Sequence, residues 1–294
     1  MKDYKSYIRK IDIKKVGVKN IGKIKPKAAK KSGRKKIAFI GLTSCKGCFF
    51  EFLLLGRRLL DVFGSVEITN FWMLKEFNDA EGAYDVTFMD GAVSTERERQ
   101  ELLKARERTR FLIAYGTCAC WGGVPALRNY AKDYRKTVYP PEGNQPQFTS
   151  LDSVTPIDRH VRVDYYMRGC PVNEDEAFEV IADLLAGKKP REKDYCVCVE
   201  CKKRETRCLF KEGRICYGPV TYAGCNAPCP AVKTPCDGCR GPLPDGNLGA
   251  EKDLLIEKGV TDDDIKAVFT RYAGLSEKLS GTSGAENKSQ KGEA

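Results

Sequence analysis

From residue 36 onward, short apolar stretches alternate with amphipathic stretches of helical period. The apolar stretches predict five buried strands, at residues 37–41, 66–71, 84–90, 111–116 and 163–166. The amphipathic stretches predict helices over residues 48–63, 95–109 (capped by Ser94) and 173–185. Strands that alternate with helices favour an α/β fold with a doubly wound parallel sheet.

The pattern changes on both sides of this predicted sheet domain, and it divides the chain into five parts. Residues 1–35 read as a basic flexible arm, and residues 191–250 as a small cysteine-rich domain after the sheet domain of residues 36–190. Residues 251–275 predict short helices, one of them capped by Thr261, and residues 276–294 a disordered tail. Residues 132–162 form a long excursion without periodicity, which is typical of a functional or docked segment.

The net charge of +11 is unevenly distributed along the chain. Residues 1–36 hold 15 Lys/Arg against Asp3 and Asp12, a net +13, so the remainder sums to −2. The arm could touch nucleic acid or an anionic membrane, but no aromatic residue interleaves its charges past Tyr7. An extension that docks on an acidic partner subunit is the favoured interpretation, and nucleic acid is not expected as a partner.

No apolar run approaches the roughly 18 residues that a membrane span needs, and the N-terminus carries no export signal. Fourteen cysteines in such a chain indicate metal ligation in a reducing cytoplasm.

Nine of the fourteen cysteines fall within residues 196–239. The Cys-x-x-Cys pairs Cys198/Cys201 and Cys236/Cys239 put two sulfurs on one tight turn, a geometry that suits a shared metal centre and strains a disulfide. A disulfide scaffold and two structural zinc sites remain open as alternatives. Two iron–sulfur clusters are favoured, because the eight cysteines from Cys198 to Cys239 make two sets of four.

A third group of cysteines lies at the carboxyl ends of the predicted strands, where open parallel sheets bind ligands. Cys45 and Cys48 follow the first strand, Cys118 the fourth and Cys170 the fifth. Four thiolates from distant positions thus converge on one edge of the sheet, which predicts a third cluster. Cys120 and Cys196 are left over and are predicted to be non-ligands.

Five ordered motifs resemble the small subunit of nickel–iron hydrogenases, above all its cytoplasmic archaeal type. They are residues 42–48 (LTSCKGC), 90–95 (DGAVST), 116–124 (GTCACWGGV), 168–171 (RGCP), and 216–221 with 235–242 (CYGPVT and PCDGCRGP). The resemblance covers residues 36–273 and implies a flavodoxin-like domain followed by a cysteine-rich domain. It also implies a soluble electron-transfer subunit that works between a nickel–iron large subunit and an acceptor subunit, a flavin or iron–sulfur protein. The catalytic metal would lie in the large subunit, so no catalytic residue is expected in this chain.

The resemblance implies three 4Fe–4S clusters with four cysteine ligands each. The proximal set is Cys45, Cys48, Cys118 and Cys170. The distal set is Cys198, Cys201, Cys208 and Cys216. The medial set is Cys225, Cys229, Cys236 and Cys239.

Two departures from the family pattern concern carboxylates. Phe49 stands where many relatives have Glu or Gln, with Glu51 two places on, and Asp90 stands where the family has Glu. Glu51 and Asp90 are therefore candidates for a proton route or for a group beside the proximal cluster, and Asp90 also for a cluster ligand.

Two other functions remain open at this point. One is an electron-transfer subunit of a related or complex-I-like oxidoreductase without nickel, and the other is a zinc-ribbon nucleic-acid binder.

Overall fold

The computed structural model describes residues 33–79, 81–131, 134 and 150–276. The predicted arm up to residue 32, most of the excursion 132–162 and the tail from residue 277 lie outside the described residues. Residues 34–276 belong to one compact unit. The predicted boundaries at residues 190/191 and 250/251 stay predictions.

Five parallel strands form one sheet in the order β2-β1-β3-β4-β5. They are β1 (Lys35–Gly41), β2 (Val66–Phe71), β3 (Tyr84–Asp90), β4 (Thr109–Tyr115) and β5 (Tyr165–Met167). The predicted parallel α/β sheet is confirmed, and its order is the one that flavodoxin-like sheets have. All five strands enter the sheet in the same direction, so their carboxyl ends share one edge.

Helices connect and follow the strands. They are α1 (Gly47–Leu53), α2 (Arg57–Ser65), α3 (Glu96–Arg108), α4 (Thr117–Trp121), α5 (Glu174–Leu185), α6 (Val197–Lys203), α7 (Pro228–Ala231), α8 (Leu248–Glu257) and α9 (Asp262–Ala273). Short 3₁₀ helices span Val124–Tyr130, Ile157–Arg159 and Gly218–Val220. None of the helices in the described residues is long and apolar enough to cross a membrane.

Two helix predictions differ from the structure in detail. The predicted helix over residues 48–63 is two helices, because Gly56 adopts φ 59° and interrupts the helical backbone. Helix α3 begins one residue later than predicted: Thr95, not Ser94, caps it, and the Thr95 and Glu98 side chains form a reciprocal capping box. The predicted Thr261 cap of α9 is present.

The sheet buries apolar side chains on both faces. One face packs α1, α2 and α5 around an aromatic cluster in which the Phe39 ring stacks at 4.8 Å on Phe88 and at 4.5 Å on Phe71. The other face packs α3 and α4 around Leu102 and Leu112. Burial on both faces explains why the strands read as continuous apolar runs.

The chain between α5 and α8 is largely irregular. This stretch, residues 186–247, is described throughout and contains no strand, only α6, α7 and one 3₁₀ turn. Its small apolar clusters include cysteine side chains, such as Cys216 and Cys236. Candidate ligands are therefore part of the small core of this region, beside apolar residues such as Tyr217 and Val220.

Candidate metal centres

The structure brings the proximal set together at the carboxyl edge of the sheet. Hydrogen bonds from Gly116 N to Met167 O (2.8 Å) and from Thr117 N to Gly169 O (2.9 Å) join the loop that carries Cys118 to the loop that carries Cys170. Cys45 and Cys48 lie at the start of α1, after β1. Electrostatic repulsion from both Cys45 and Cys170 acts to raise the pKa of Cys118, so the three thiols are close neighbours.

Two glycines leave room for the proximal sulfur atoms. Gly116 has φ 88°, and a Cβ at this position would lie 2.4 Å from Cys48 Sγ. Gly123 has φ 54°, and its Cβ would lie 2.9 Å from Cys118 Sγ. Both positions require a backbone that glycine adopts readily and a space that no side chain can share. The sulfur atoms thus lie in a cradle that suits a bulky inorganic group.

The proximal thiols are held where a free thiolate is disfavoured. Burial, followed by repulsion from the Asp90 carboxylate, raises the pKa of Cys118 to about 12 and also raises that of Cys48. Burial raises the pKa of Cys170 to about 11. Thiolates at such sites need a positive partner, and four sulfur ligands are the donor set that iron–sulfur clusters take. The residues present therefore fit the implied group.

Asp90 ends β3 beside these thiols. Its carboxyl is 1% exposed; Oδ2 accepts a hydrogen bond from Ser44 Oγ (2.5 Å), and Oδ1 has no hydrogen-bond partner among the described residues. Burial raises its pKa, while the Ser44 hydrogen bond and the charge of Lys46 oppose that shift. Glu51, the other carboxylate that the sequence singled out, lies half-buried on α1.

The distal set surrounds α6. Cys198 and Cys201 lie on this helix, and Gly218 passes so close that a Cβ there would lie 3.4 Å from Cys198 Sγ and 3.7 Å from Cys216 Sγ. Besides burial, repulsion from Cys201 and Cys208 acts to raise the pKa of Cys216. All four members of the set are thus neighbours, with Cys208 exposed.

The medial set is built on tight turns. Cys225 precedes two residues in left-handed conformation, Asn226 (φ 59°) and Ala227 (φ 45°), and Cys229 lies on α7. Gly238 (φ 75°) separates Cys236 from Cys239. Burial, together with repulsion from Cys239, Cys216 and Cys225, raises the pKa of Cys236. This thiol therefore has neighbours in its own set and in the distal set.

The three sets lie in a row, with the medial set in contact with both others. On one side, the Cys236 backbone N–H donates a hydrogen bond to Cys216 Sγ at 3.4 Å. On the other side, the charge of Cys239 acts to raise the pKa of Cys170, and a backbone hydrogen bond with Cys170 acts to lower that of Cys239 against the larger effect of burial. The Thr117 hydroxyl donates to the Cys239 carbonyl and closes this junction.

A buried ion pair that the sequence analysis missed braces the junction between the proximal and medial sets. The Arg240 and Glu176 side chains are 4% and 6% exposed, and Nη2 lies 2.8 Å from the carboxylate Oε1. Arg240 also donates through Nε to Ala223 O (2.7 Å) and through Nη1 to Arg168 O (2.5 Å). The guanidinium thus joins helix α5 to backbone on both sides of the junction. The position of Arg240 directly after the candidate ligand Cys239 is the one feature of the sequence that could have indicated its role.

A second carboxylate braces the junction between the medial and distal sets. Glu200 lies on α6 between Cys198 and Cys201, and it is 7% exposed. It accepts hydrogen bonds from the backbone N–H groups of Gly224 (2.9 Å) and Asn226 (2.8 Å), on either side of Cys225. The distal helix and the medial turn are therefore fixed to each other through one side chain.

The two leftover cysteines differ in their surroundings. Cys120 is fully buried in the sheet core, with its sulfur 3.6 Å from Ala114 O and 3.7 Å from Met167 O. Cys196 directly precedes α6, and its charge acts, after burial, to raise the pKa of Cys198 to about 12. All fourteen cysteines lie in the described residues, and none of them forms a disulfide. In this part of the chain no three Cys, His, Asp or Glu side chains are placed to share a single metal ion.

Comparison with known proteins finds one matching family model and several relatives. The family model for the 20 kDa subunit of NADH ubiquinone oxidoreductase matches residues 45–184. The chain is 40% identical to sulfhydrogenase 2 subunit delta of Pyrococcus furiosus, over 81% of this chain and 99% of the relative. It is 34% identical to the HoxS subunit delta of the NAD-reducing hydrogenase of Cupriavidus necator, over 55% of this chain and 83% of the relative.

Among solved structures, the chain is similar to one from an NAD+-reducing nickel–iron hydrogenase crystallised in its dihydrogen-reduced state. The two share 30% sequence identity with a TM-score of 0.50, and the match covers 54% of this chain and 94% of the other.

Proposed function

Because this chain belongs to the family of small, electron-transferring subunits of nickel–iron hydrogenases, we propose that it relays electrons through three 4Fe–4S clusters. Electrons from dihydrogen oxidation, H2 ⇌ 2H⁺ + 2e⁻, would enter at the proximal set. They would pass the medial set and leave at the distal set, one at a time.

The observation that supports this proposal most is the contact between neighbouring sets. Cys239 of the medial set meets Cys170 of the proximal set, and Cys236 meets Cys216 of the distal set. Three four-thiol sites, the middle one in contact with both others, are an arrangement that suits an electron relay.

When bound, each cluster would supply a reversible one-electron centre, and the chain sets the conditions for it. Glycine positions 116 and 123 leave space beside the sulfur atoms. Glu200 and the pair of Arg240 with Glu176 fix the sets relative to one another. Asp90 places a buried carboxylate beside the proximal set, where it can hold a proton or lower the cluster potential when ionised.

The partners that we propose follow from the two ends of the row. A nickel–iron large subunit would dock near the proximal set, where Cys45 is exposed, and an acceptor subunit near the exposed Cys208 of the distal set. The acceptor is a flavin or iron–sulfur protein in this proposal. Fourteen cysteines, none of them joined in a disulfide, are compatible with the reducing cytoplasm as the working compartment.

One observation favours a second candidate function. The matching family model carries the name of a subunit of NADH ubiquinone oxidoreductase. Its match ends at residue 184, before the medial and distal sets begin, so it speaks only for the sheet and the proximal set. An electron-transfer subunit whose large partner lacks nickel is therefore the runner-up.

The test is anaerobic purification of the native complex through a tag on this chain, followed by metal analysis and assay of the whole complex. We expect a large partner with two Cys-x-x-Cys pairs, stoichiometric nickel and dihydrogen-dependent reduction of methyl viologen. A large partner without nickel would establish the runner-up. Stoichiometric zinc in place of iron and acid-labile sulfide would establish the zinc-ribbon alternative.

A further inference from the structure

A strongly basic surface surrounds the exposed end of the distal set. Residues 202–214, which we call the distal rim, contain the exposed side chains of Lys202, Lys203, Arg204, Arg207, Lys211 and Arg214. Only Glu205 and Glu212 oppose them, so these thirteen residues carry a net charge of +4. Two segments that flank the set are acidic in balance: residues 150–201 sum to −4 and residues 234–276 to −3. Within residues 150–276 the positive charge is therefore concentrated at the distal rim.

The fold holds this charge in place around the candidate ligands. Arg204 Nη1 donates to Asn226 O at 2.9 Å, beside Cys225, and Arg214 Nη1 donates to the Lys233 carbonyl. These bonds fasten the two ends of the rim to the medial loop and add the exposed Lys233 to the same surface. Cys208, in the middle of the rim, is exposed. Val232, which is 73% exposed, provides an apolar contact at the edge of the surface.

We propose that the distal rim is the docking surface for an electron-transfer protein with an acidic face. This inference rests on the proposed function, because it takes the distal set as the exit of the relay. One reduced cluster would pass one electron to one oxidised acceptor centre, with no proton or group transferred. Exposed cations around the exit would steer a negatively charged partner and hold it with its redox centre near Cys208.

The rim is less suited to nucleic acid than to an acidic protein. Phe210 is the one aromatic residue of the rim. Its ring is partly buried against the apolar clusters below the rim, and Lys258 Nζ lies 5.0 Å from the ring centroid. Stacking platforms between the cations, which single-stranded nucleic acid needs, are therefore missing from the described rim.

The test compares charge variants in the native complex, with an acidic 4Fe–4S ferredoxin as the probe. The rim variant is Lys202→Glu, Lys203→Glu and Lys211→Glu, and a milder variant carries Gln at the same positions. The control is Arg97→Glu with Lys104→Glu, since both residues are exposed on α3, within the sheet domain. Iron content is measured first, so that loss of a cluster is recognised.

We expect the second-order rate of ferredoxin reduction at low ionic strength to fall about 10- to 100-fold in the Glu variant and less in the Gln variant. The rate with the cationic dye methyl viologen should change in the opposite direction, which a merely structural defect would not produce. Carbodiimide cross-linking of oxidised ferredoxin, without dihydrogen, should map to Lys202, Lys203 or Lys211 and disappear at high salt. The control variant should match wild type in every measurement.

Two results would overturn the proposal. One is an unchanged ferredoxin rate in the Glu variant together with cross-links that map elsewhere. The other is loss of DNA binding in the Glu variant with ferredoxin reduction intact, which would make the rim a nucleic-acid surface. Failure of the complex to reduce even methyl viologen with dihydrogen would instead overturn the proposed function, and the cross-linking would still test the surface.

Discussion

The proximal set and the two C-terminal sets hold cysteines in opposite ways. The proximal ligands are up to 125 positions apart in sequence, and a regular parallel sheet with two apolar faces brings them to one edge. The medial and distal ligands lie within residues 198–239, in a stretch without strands whose small core includes the cysteines. The sheet positions the first site, whereas around the second and third sites the cysteines are themselves part of the core.

This difference assigns different roles to the polar groups around the sites. Near the proximal set the backbone is fixed by the sheet, and glycines and Asp90 only shape the space beside the sulfur atoms. In the C-terminal region buried charges add to the small core: Glu200 holds the distal helix to the medial turn, and Arg240 holds the medial loop to α5 through Glu176.

Removal of iron should give the largest difference in stability between the sheet domain and the C-terminal region. In the iron-free chain we expect backbone amides of residues 196–243 to lose hydrogen-exchange protection, because small metal-dependent folds are unfolded without metal. Amides of β1, β3 and β4 should keep most of theirs, because their apolar core is independent of the clusters. Equal loss of protection in both regions would show that the sheet also depends on the clusters.

Substitution of one glycine should remove the proximal cluster alone. In Gly116→Ala the new Cβ would lie 2.4 Å from Cys48 Sγ on a backbone with φ 88°. We expect the iron content to fall by about four atoms per chain, with the C-terminal amides still protected. The matched control is Gly64→Ala, since a Cβ there meets nothing within 4 Å. Full iron content in Gly116→Ala would mean that the cradle tolerates a methyl group.

Breaking the buried ion pair should destabilise the chain without removing a ligand. Arg240→Met leaves the Glu176 carboxylate buried and uncompensated, which we expect to lower the free energy of unfolding by about 3–5 kcal/mol. The double variant Arg240→Met with Glu176→Met should recover most of the loss, because no lone charge stays buried. Anaerobic denaturant titration followed by circular dichroism gives both values. If the single and double variants are equally destabilised, the pair acts through packing and not through its charges.

Substitution of the two leftover cysteines should have the smallest effect. Cys120 lies in the sheet domain and Cys196 in the C-terminal region, so the two substitutions test both regions. Cys196→Ser and Cys120→Ser should both leave iron and acid-labile sulfide near the wild-type content, since neither belongs to a set of four. Metal analysis with an EPR-monitored redox titration checks this. A lost or shifted distal signal in Cys196→Ser, which lies next to Cys198, would make Cys196 a ligand in its place.

Much of this architecture is predictable from local sequence. The apolar runs predict the five strands, and the topology rule for parallel sheets then predicts that Cys45, Cys118 and Cys170 meet at one edge. The Gly56 break and the Thr95 cap were missed because single-residue backbone choices decide them. The pairing of Arg240 with Glu176 was also missed, because it joins residues 64 positions apart and neither is part of a periodic pattern. Local pattern predicts elements and motifs, whereas buried polar contacts between distant segments require the fold.

The most direct test of the three-cluster relay is the quantity of metal in the full chain purified without oxygen. We predict about twelve iron atoms and about twelve acid-labile sulfides per chain, with no stoichiometric zinc. Each of the three sets of four thiolates would hold one cluster of four iron atoms and four sulfides. About eight iron atoms, or stoichiometric zinc, would contradict this account.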